Sequence, residues 1–236
     1  MKLALSLVLP SIAVLAVACS STKQGPREAQ KDFDALEERL LDAPGVHSTS
    51  HLTAEGALTA DVRCVHGVTR DGNAFLQAKG TLAGQPVDWT FVSDGKRMTL
   101  TAPSGKRERE IPADLREGLL LGLTRMGWMH NVAMLSAGGW PDATDGRIDD
   151  FVRAVNVMTG EELEEEGRTK RALTFGIEVR GQVAATAILW IDSESGVPIE
   201  RWQKVQLPNG EMHVVETYES FSLDLGDLPG LGYSGG

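Results

Sequence analysis

The chain is nearly devoid of cysteine, with only Cys19 and Cys64 among its 236 residues, so no disulfide framework is available. Basic charge is also short, at 23 Lys and Arg against 33 Asp and Glu, for a formal net charge of −10. With no dense Lys/Arg stripe to neutralise phosphates, nucleic acid is excluded as a partner. The five histidines are scattered and form no His-Glu-x-x-His pattern, so no metal site is expected. There is no Gly-x-Ser-x-Gly motif, Walker loop or dinucleotide fingerprint. Ser20-Ser21-Thr22-Lys23 has the Ser-x-x-Lys form, but it lies in a short polar tether where no oxyanion hole can be built. The expectation is a protein that is not an enzyme and needs no cofactor. Its 42% hydrophobic content is that of an ordinary folded chain.

Long apolar runs are absent but for one. After Lys2 the chain is uncharged from Leu3 to Val17, a stretch broken by Pro10 and shorter than the roughly 20 residues a spanning helix needs. It reads as a secretory signal over residues 1–18. Leu15-Ala16-Val17-Ala18-Cys19 resembles the lipobox of bacterial lipoproteins, departing from it in having Ala16 where the family usually has Leu. That resemblance implies an acylated Cys19 as the first mature residue, and Ser20 after it implies the outer membrane as the address. Two or three chains, at about 0.8 kcal/mol per buried methylene, would anchor the protein stably. A plain signal peptide cleaved after Ala18 is the alternative. With Cys19 used for lipid, Cys64 is left alone, on the apolar phase of an alternating segment with His66 on the same face.

Residues 19–25 form the tether, residues 26–227 a single domain and residues 228–236 a flexible Gly-rich tail. Ala29, Phe33, Leu36, Leu40 and Leu41 recur at helical spacing and predict an amphipathic helix ending near Pro44-Gly45. Alternating runs over 47–54, 58–66, 73–82, 86–93 and 97–101 predict strands, with Asp71-Gly72 and Asp94-Gly95 as hairpin turns. Pro112 opens a helical region to about residue 136, broken near Gly127. Strands resume over 151–159, 171–179, 183–191, 198–207 and 211–222. The fold class is therefore α+β: about ten antiparallel strands in a strongly curved, half-open β-barrel, with helices closing the concave face.

The closing strands carry a recognisable pattern. Leu189-Trp190-Ile191-Asp192, Gly196-Val197-Pro198, and Tyr218-Glu219-Ser220-Phe221 resemble the end of the LolA-like superfamily of lipoprotein carriers, acceptors and envelope sensors. The element order resembles that family's half-barrel as well. Such a fold implies a cavity between sheet and helices, with candidate lining residues Trp89, Phe91, Leu119, Leu123, Met126, Met129, Phe175, Ile177 and Leu189. Val87, Val179 and Val183 fall on the same inward phases. Family carriers hold their closed state with a helix-lid arginine bonded to backbone carbonyls; the insert's Arg116 and Arg125 are not aligned with it. Trp140, on the loop Gly138-Gly139-Trp140-Pro141, is a candidate membrane contact.

The acidic run Glu161 to Glu166 repels itself and is expected at an exposed hairpin tip, and the Asp142 to Asp150 loop lacks calcium-ligand spacing. The resulting expectation is a membrane-anchored envelope lipoprotein that binds lipid or lipoprotein acyl chains. The alternative is a sensor or protein-interaction lipoprotein of the same fold with a dry core, gripping an envelope protein partner.

Overall fold

A computed structural model describes residues 25–136, 151–165 and 167–224. Cys19, Trp140, the signal segment and the tail lie outside the described residues. Helix α1 (Pro26–Asp42) starts on Pro26, whose missing N–H costs nothing at a first turn, and Glu28 reaches back to the amide of Gly25 at 3.3 Å. Its inner face places Ala29, Phe33, Leu36 and Leu40 in the core, and the chain turns out before Pro44.

Six strands follow: β1 (Gly45–Gly56), β2 (Ala60–Thr69), β3 (Asn73–Leu82), β4 (Gln85–Asp94), β5 (Arg97–Ala102) and β6 (Gly105–Glu110). Helices α2 (Leu115–Met126) and α3 (Trp128–Ser136) come next. The chain closes with β7 (Val152–Glu165), β8 (Arg168–Val179), β9 (Gln182–Asp192), β10 (Pro198–Leu207) and β11 (Gly210–Ser222). All eleven strands belong to one open antiparallel sheet in the order β6-β5-β4-β3-β2-β1-β11-β10-β9-β8-β7. Two sequential meanders are thus joined where the first strand pairs with the last, His47 opposite Ser222 and Gly56 opposite Met212.

Strand β6 was not expected. All six of its residues are exposed, so Lys106 to Glu110 carry no apolar alternation to read. Charged side chains suit a sheet edge, since they discourage pairing with another chain. The opposite edge, β7, is longer than expected and runs through Glu161, Glu162, Glu164 and Glu165, all exposed. Two register shifts interrupt its pairing with β8, and Asn156 adopts φ +56° at the first. A further shift, between Ile177 and Glu178 in the β8–β9 pairing, corrects the expectation for Val183. The extra residue turns Val183 to the outer face, where it is 61% exposed.

Helices pack on one face of the sheet in two apolar clusters. One joins Leu115, Leu119, Leu123, Trp128 and Val132 of α2 and α3 to strands β1 to β5 and β11. The other joins α1 and Leu120 to Val46 of β1 and to the inner residues of β7, β8 and β9, with Phe33 edge-on to Phe175 at 4.9 Å. The helical insert does break at Gly127, whose φ of +68° favours glycine.

Candidate functional site

The sequence-predicted lining residues are divided between the two clusters. Phe91, Leu119 and Leu123 are fully buried in the first, with Trp89 and Met129 half-buried against it. Phe175, Ile177 and Leu189 are fully buried in the second, with Met126 packed against it. The structure therefore packs them between the helices and the sheet as two groups.

Where the two groups meet, the inner face is polar. Alternation sends Ser48 and Ser50 of β1, Cys64 and His66 of β2, Glu216 and Tyr218 of β11, and Arg201 and Gln203 of β10 to that face, and all are buried. Arg201 sits opposite Glu216 in the β10–β11 register, with Nε 3.7 Å from Oε2. Its guanidinium donates to the carbonyls of Leu123 at 3.0 Å, Arg125 at 3.3 Å and Thr124, which end α2. Glu216 in turn accepts from the Met129 amide at 3.2 Å and from the Tyr218 hydroxyl at 3.1 Å. One pair thereby fixes both sides of the α2–α3 break. A Cβ on Gly127 would stand 2.3 Å from Glu216 Oε2, so glycine is required by space as well as by φ.

Among the described residues, further buried polar groups of these strands and of α3 have no hydrogen-bond partner: both ring nitrogens of His66, Ser48 Oγ, Trp128 Nε1, Gln203 Oε1 and both amide atoms of Asn131. His66 meets Trp128 edge-on at 5.6 Å. Burial lowers the His66 pKa to about 3, aided by His47, and keeps the ring neutral. Burial, then the charge of Glu216, raises the Cys64 thiol pKa, so Cys64 is no thiolate nucleophile despite sharing its face with His66. Among the described residues no group of three His, Cys, Asp or Glu is placed to hold a metal ion.

Two further arginines hold the helices. Arg116 donates to four carbonyls: Leu41 at 2.7 Å, Ala43 at 2.9 Å, Thr69 at 3.1 Å and Leu40 at 3.3 Å. It joins the start of α2 to the end of α1 and to β2. Arg125 forms a two-pronged pair with Glu37 at 2.7 and 2.8 Å and donates to the Val152 carbonyl at 2.8 Å. The roles of Arg116, Arg201 and Glu216 escape a reading by periodicity. A charge on the apolar phase of a strand, as in Met212, Val214, Glu216, Tyr218, is the signal that marks the pair.

The chain trace is similar to those of several solved structures. LprF from Mycobacterium bovis matches with a TM-score of 0.44 at 14% identity, over 83% of this chain and 93% of that one. The Mycobacterium tuberculosis lipoprotein LppX matches at 0.42 and 10% identity, over 85% and 100%. A LolA superfamily protein from Nitrosomonas europaea, NE2245, matches at 0.34 and 11%, over 85% and 94%. No protein-family model and no curated protein matches the chain.

Proposed function

We propose that this chain is a non-enzymatic lipoprotein of the bacterial envelope, anchored at the outer membrane through Cys19, that takes lipid or lipoprotein acyl chains between its sheet and its helices. The observation that carries the reading is the unpartnered polar band between two apolar clusters. An unsatisfied buried polar group costs about 1–3 kcal/mol, so a core finished for packing alone would not keep several. Flanked by apolar halves, such a band suits an amphiphile, with chains in the clusters and a polar head against His66, Ser48 and Asn131.

The curvature this needs follows from α2. It shares a cluster with Met98 and Leu100 of β5 and also packs against β7, nine strand steps away. In a flat sheet those strands would stand about 43 Å apart, whereas a helix is only about 10–12 Å across. This supports reading the sheet as a half-barrel around the helices, with α2 and α3 over its inner face.

The test is to extract protein purified from its own envelope and examine the extract by mass spectrometry, then to titrate the delipidated protein with a fluorescent fatty acid. Co-purifying lipid and saturable uptake are expected, and their joint absence would sink the reading. Incorporation of labelled palmitate, abolished by Cys19→Ser, tests the anchor separately. The second reading, a dry-core protein-interaction lipoprotein, draws on the full burial of Phe91, Leu119, Leu123, Phe175, Ile177 and Leu189. It predicts a lipid-free protein that recovers an envelope protein by crosslinking.

A further inference from the structure

The outer face of the sheet, away from the helices, is apolar where it should meet water. Met158, Val183, Trp202 and Val215 are 54%, 61%, 46% and 38% exposed. Cross-strand register aligns Met158, Thr174, Ile188, Trp202 and Val215 in one row across β7 to β11. Beside that row Gly176 pairs with the small Thr186, and Val155 and Val183 crowd Gly176, their side chains 3.1 and 3.6 Å from where a Cβ would stand. The resulting groove has a volume of about 640 Å³. Lys204 and His213 line it on β10 and β11.

The dimensions choose among occupants. The four exposed side chains offer on the order of 400 Å² of apolar surface, half of the roughly 800 Å² each partner contributes to a stable interface, so the face is too small for a lasting dimer. Side chains two residues apart on a strand stand about 6.7 Å apart, which is narrower than the about 10 Å of an α-helix. A single extended alkyl chain fits that width, and the volume lies within the range of about 300–1,000 Å³ typical of small-ligand sites.

Charge selects the head group. Glu211 bridges Lys204 Nζ at 2.6 Å and His213 Nε2 at 2.8 Å. The Lys204 ammonium has three donors and gives one to Glu211, so two remain for another anion. Lys170, Glu165 and Glu200 pair among themselves on the same face, with Lys170 lying over the Trp190 ring. Lys204 is the one lysine or arginine lining the groove among the described residues, and Glu211 takes up part of its charge. We propose that this outer groove binds a single-chain anionic amphiphile, its alkyl chain along Ile188 and Trp202 over Gly176 and its carboxylate at Lys204. This site is separate from the space under the helices and does not depend on it.

The experiment uses the delipidated mature chain and palmitate brominated on its alkyl chain, since bromine in contact quenches indole emission. Saturable quenching is expected and should be largely lost in Trp202→Phe. Gly176→Val, which adds bulk between Val155 and Val183 at a position without positive φ, should weaken binding at least tenfold. Lys204→Glu should weaken it about fivefold, the worth of one exposed charge contact of about 1 kcal/mol. Absence of quenching, or quenching unchanged in all three variants, overturns the proposal. The unchanged case would place palmitate elsewhere, under the helices included. A concentration-dependent dimer that Trp202→Glu dissolves and brominated palmitate does not would equally overturn it, by assigning the face to a second copy. Trp202→Phe and Lys204→Glu alter exposed positions and keep the test decisive should Gly176→Val fail to fold.

Discussion

Oε2 of Glu216 lies 3.7 Å from Nε of Arg201, and neither side chain has any exposure to solvent. Burying two ions is expensive, and their attraction offsets this only where hydrogen bonds complete both groups. Here the completing bonds come from the carbonyls ending α2 and from the first amides of α3, so the pair fixes where the helical insert bends. Glu216→Ala strands the guanidinium and should destabilise the protein by about 3–5 kcal/mol in urea unfolding. The double variant Arg201→Met with Glu216→Leu should lose less than the Glu216 single variant. A double variant as unstable as the sum of its singles would show that the two residues do not act as a pair.

The same carboxyl carries a pH signature. Burial is the largest influence on Glu216 and raises its pKa above the ordinary 4.5, against the opposing pull of Arg201 and the Met129 amide. The folded state thus holds this proton more tightly than the unfolded chain. Its contribution is complete below pH 4.5 and is lost as pH rises through the elevated folded value. Glu216→Gln removes that dependence, so wild-type stability minus that of the variant should be highest near pH 4 and fall toward pH 7. A wild-type advantage that grows with pH would mean the ionised form is the favoured one.

His66 acts in the opposite sense. Burial lowers its pKa from 6.5 to about 3, and His130 is lowered to about 4 for the same reason. Both rings are neutral when folded and take up a proton on unfolding, so their contribution is full above pH 6.5 and is lost as pH falls toward 3 to 4. Each should impose a slope of about 1.4 kcal/mol per pH unit within that window. His66→Phe should flatten the measured stability profile by that amount between pH 6 and pH 5. An unchanged slope would mean the ring is protonated in place.

Much of this was legible in the sequence. Asn73–Leu82 and Pro198–Leu207 have the bounds their alternation predicts, and the helix break falls at Gly127 as its glycine content predicts. What escaped has physical causes. Strand β6 is exposed on both faces, so no burial pattern records it. Val183 changes face because a single extra residue near Glu178 shifts the register, and nothing local in the sequence announces it. The polar band is assembled from four strands and helix α3, so its members lie up to 170 residues apart, as in the span from Ser48 to Tyr218. Periodicity reports which face a residue takes. Which other charge shares that face depends on strand order.

Arg116 gives the sharpest test of how the helices are held. Its four acceptors include Leu40, Leu41 and Ala43, the carbonyls at the negative end of the α1 dipole, with Thr69 of β2 as the fourth. A guanidinium meets four acceptors because its donors form a rigid planar fork, which an ammonium on a flexible stem does not. Arg116→Lys therefore keeps the charge and loses most of the geometry. The expected cost is about 1–3 kcal/mol. It should be local: hydrogen exchange should quicken in the first turn of α2 and the last turn of α1, while β9 and β10 keep their protection. Under the proposed binding of acyl chains beneath α2, the same variant should speed both uptake and release of a fluorescent fatty acid. Uniformly faster exchange across the whole domain would instead make Arg116 an ordinary contributor to global stability, with no special hold on the roof.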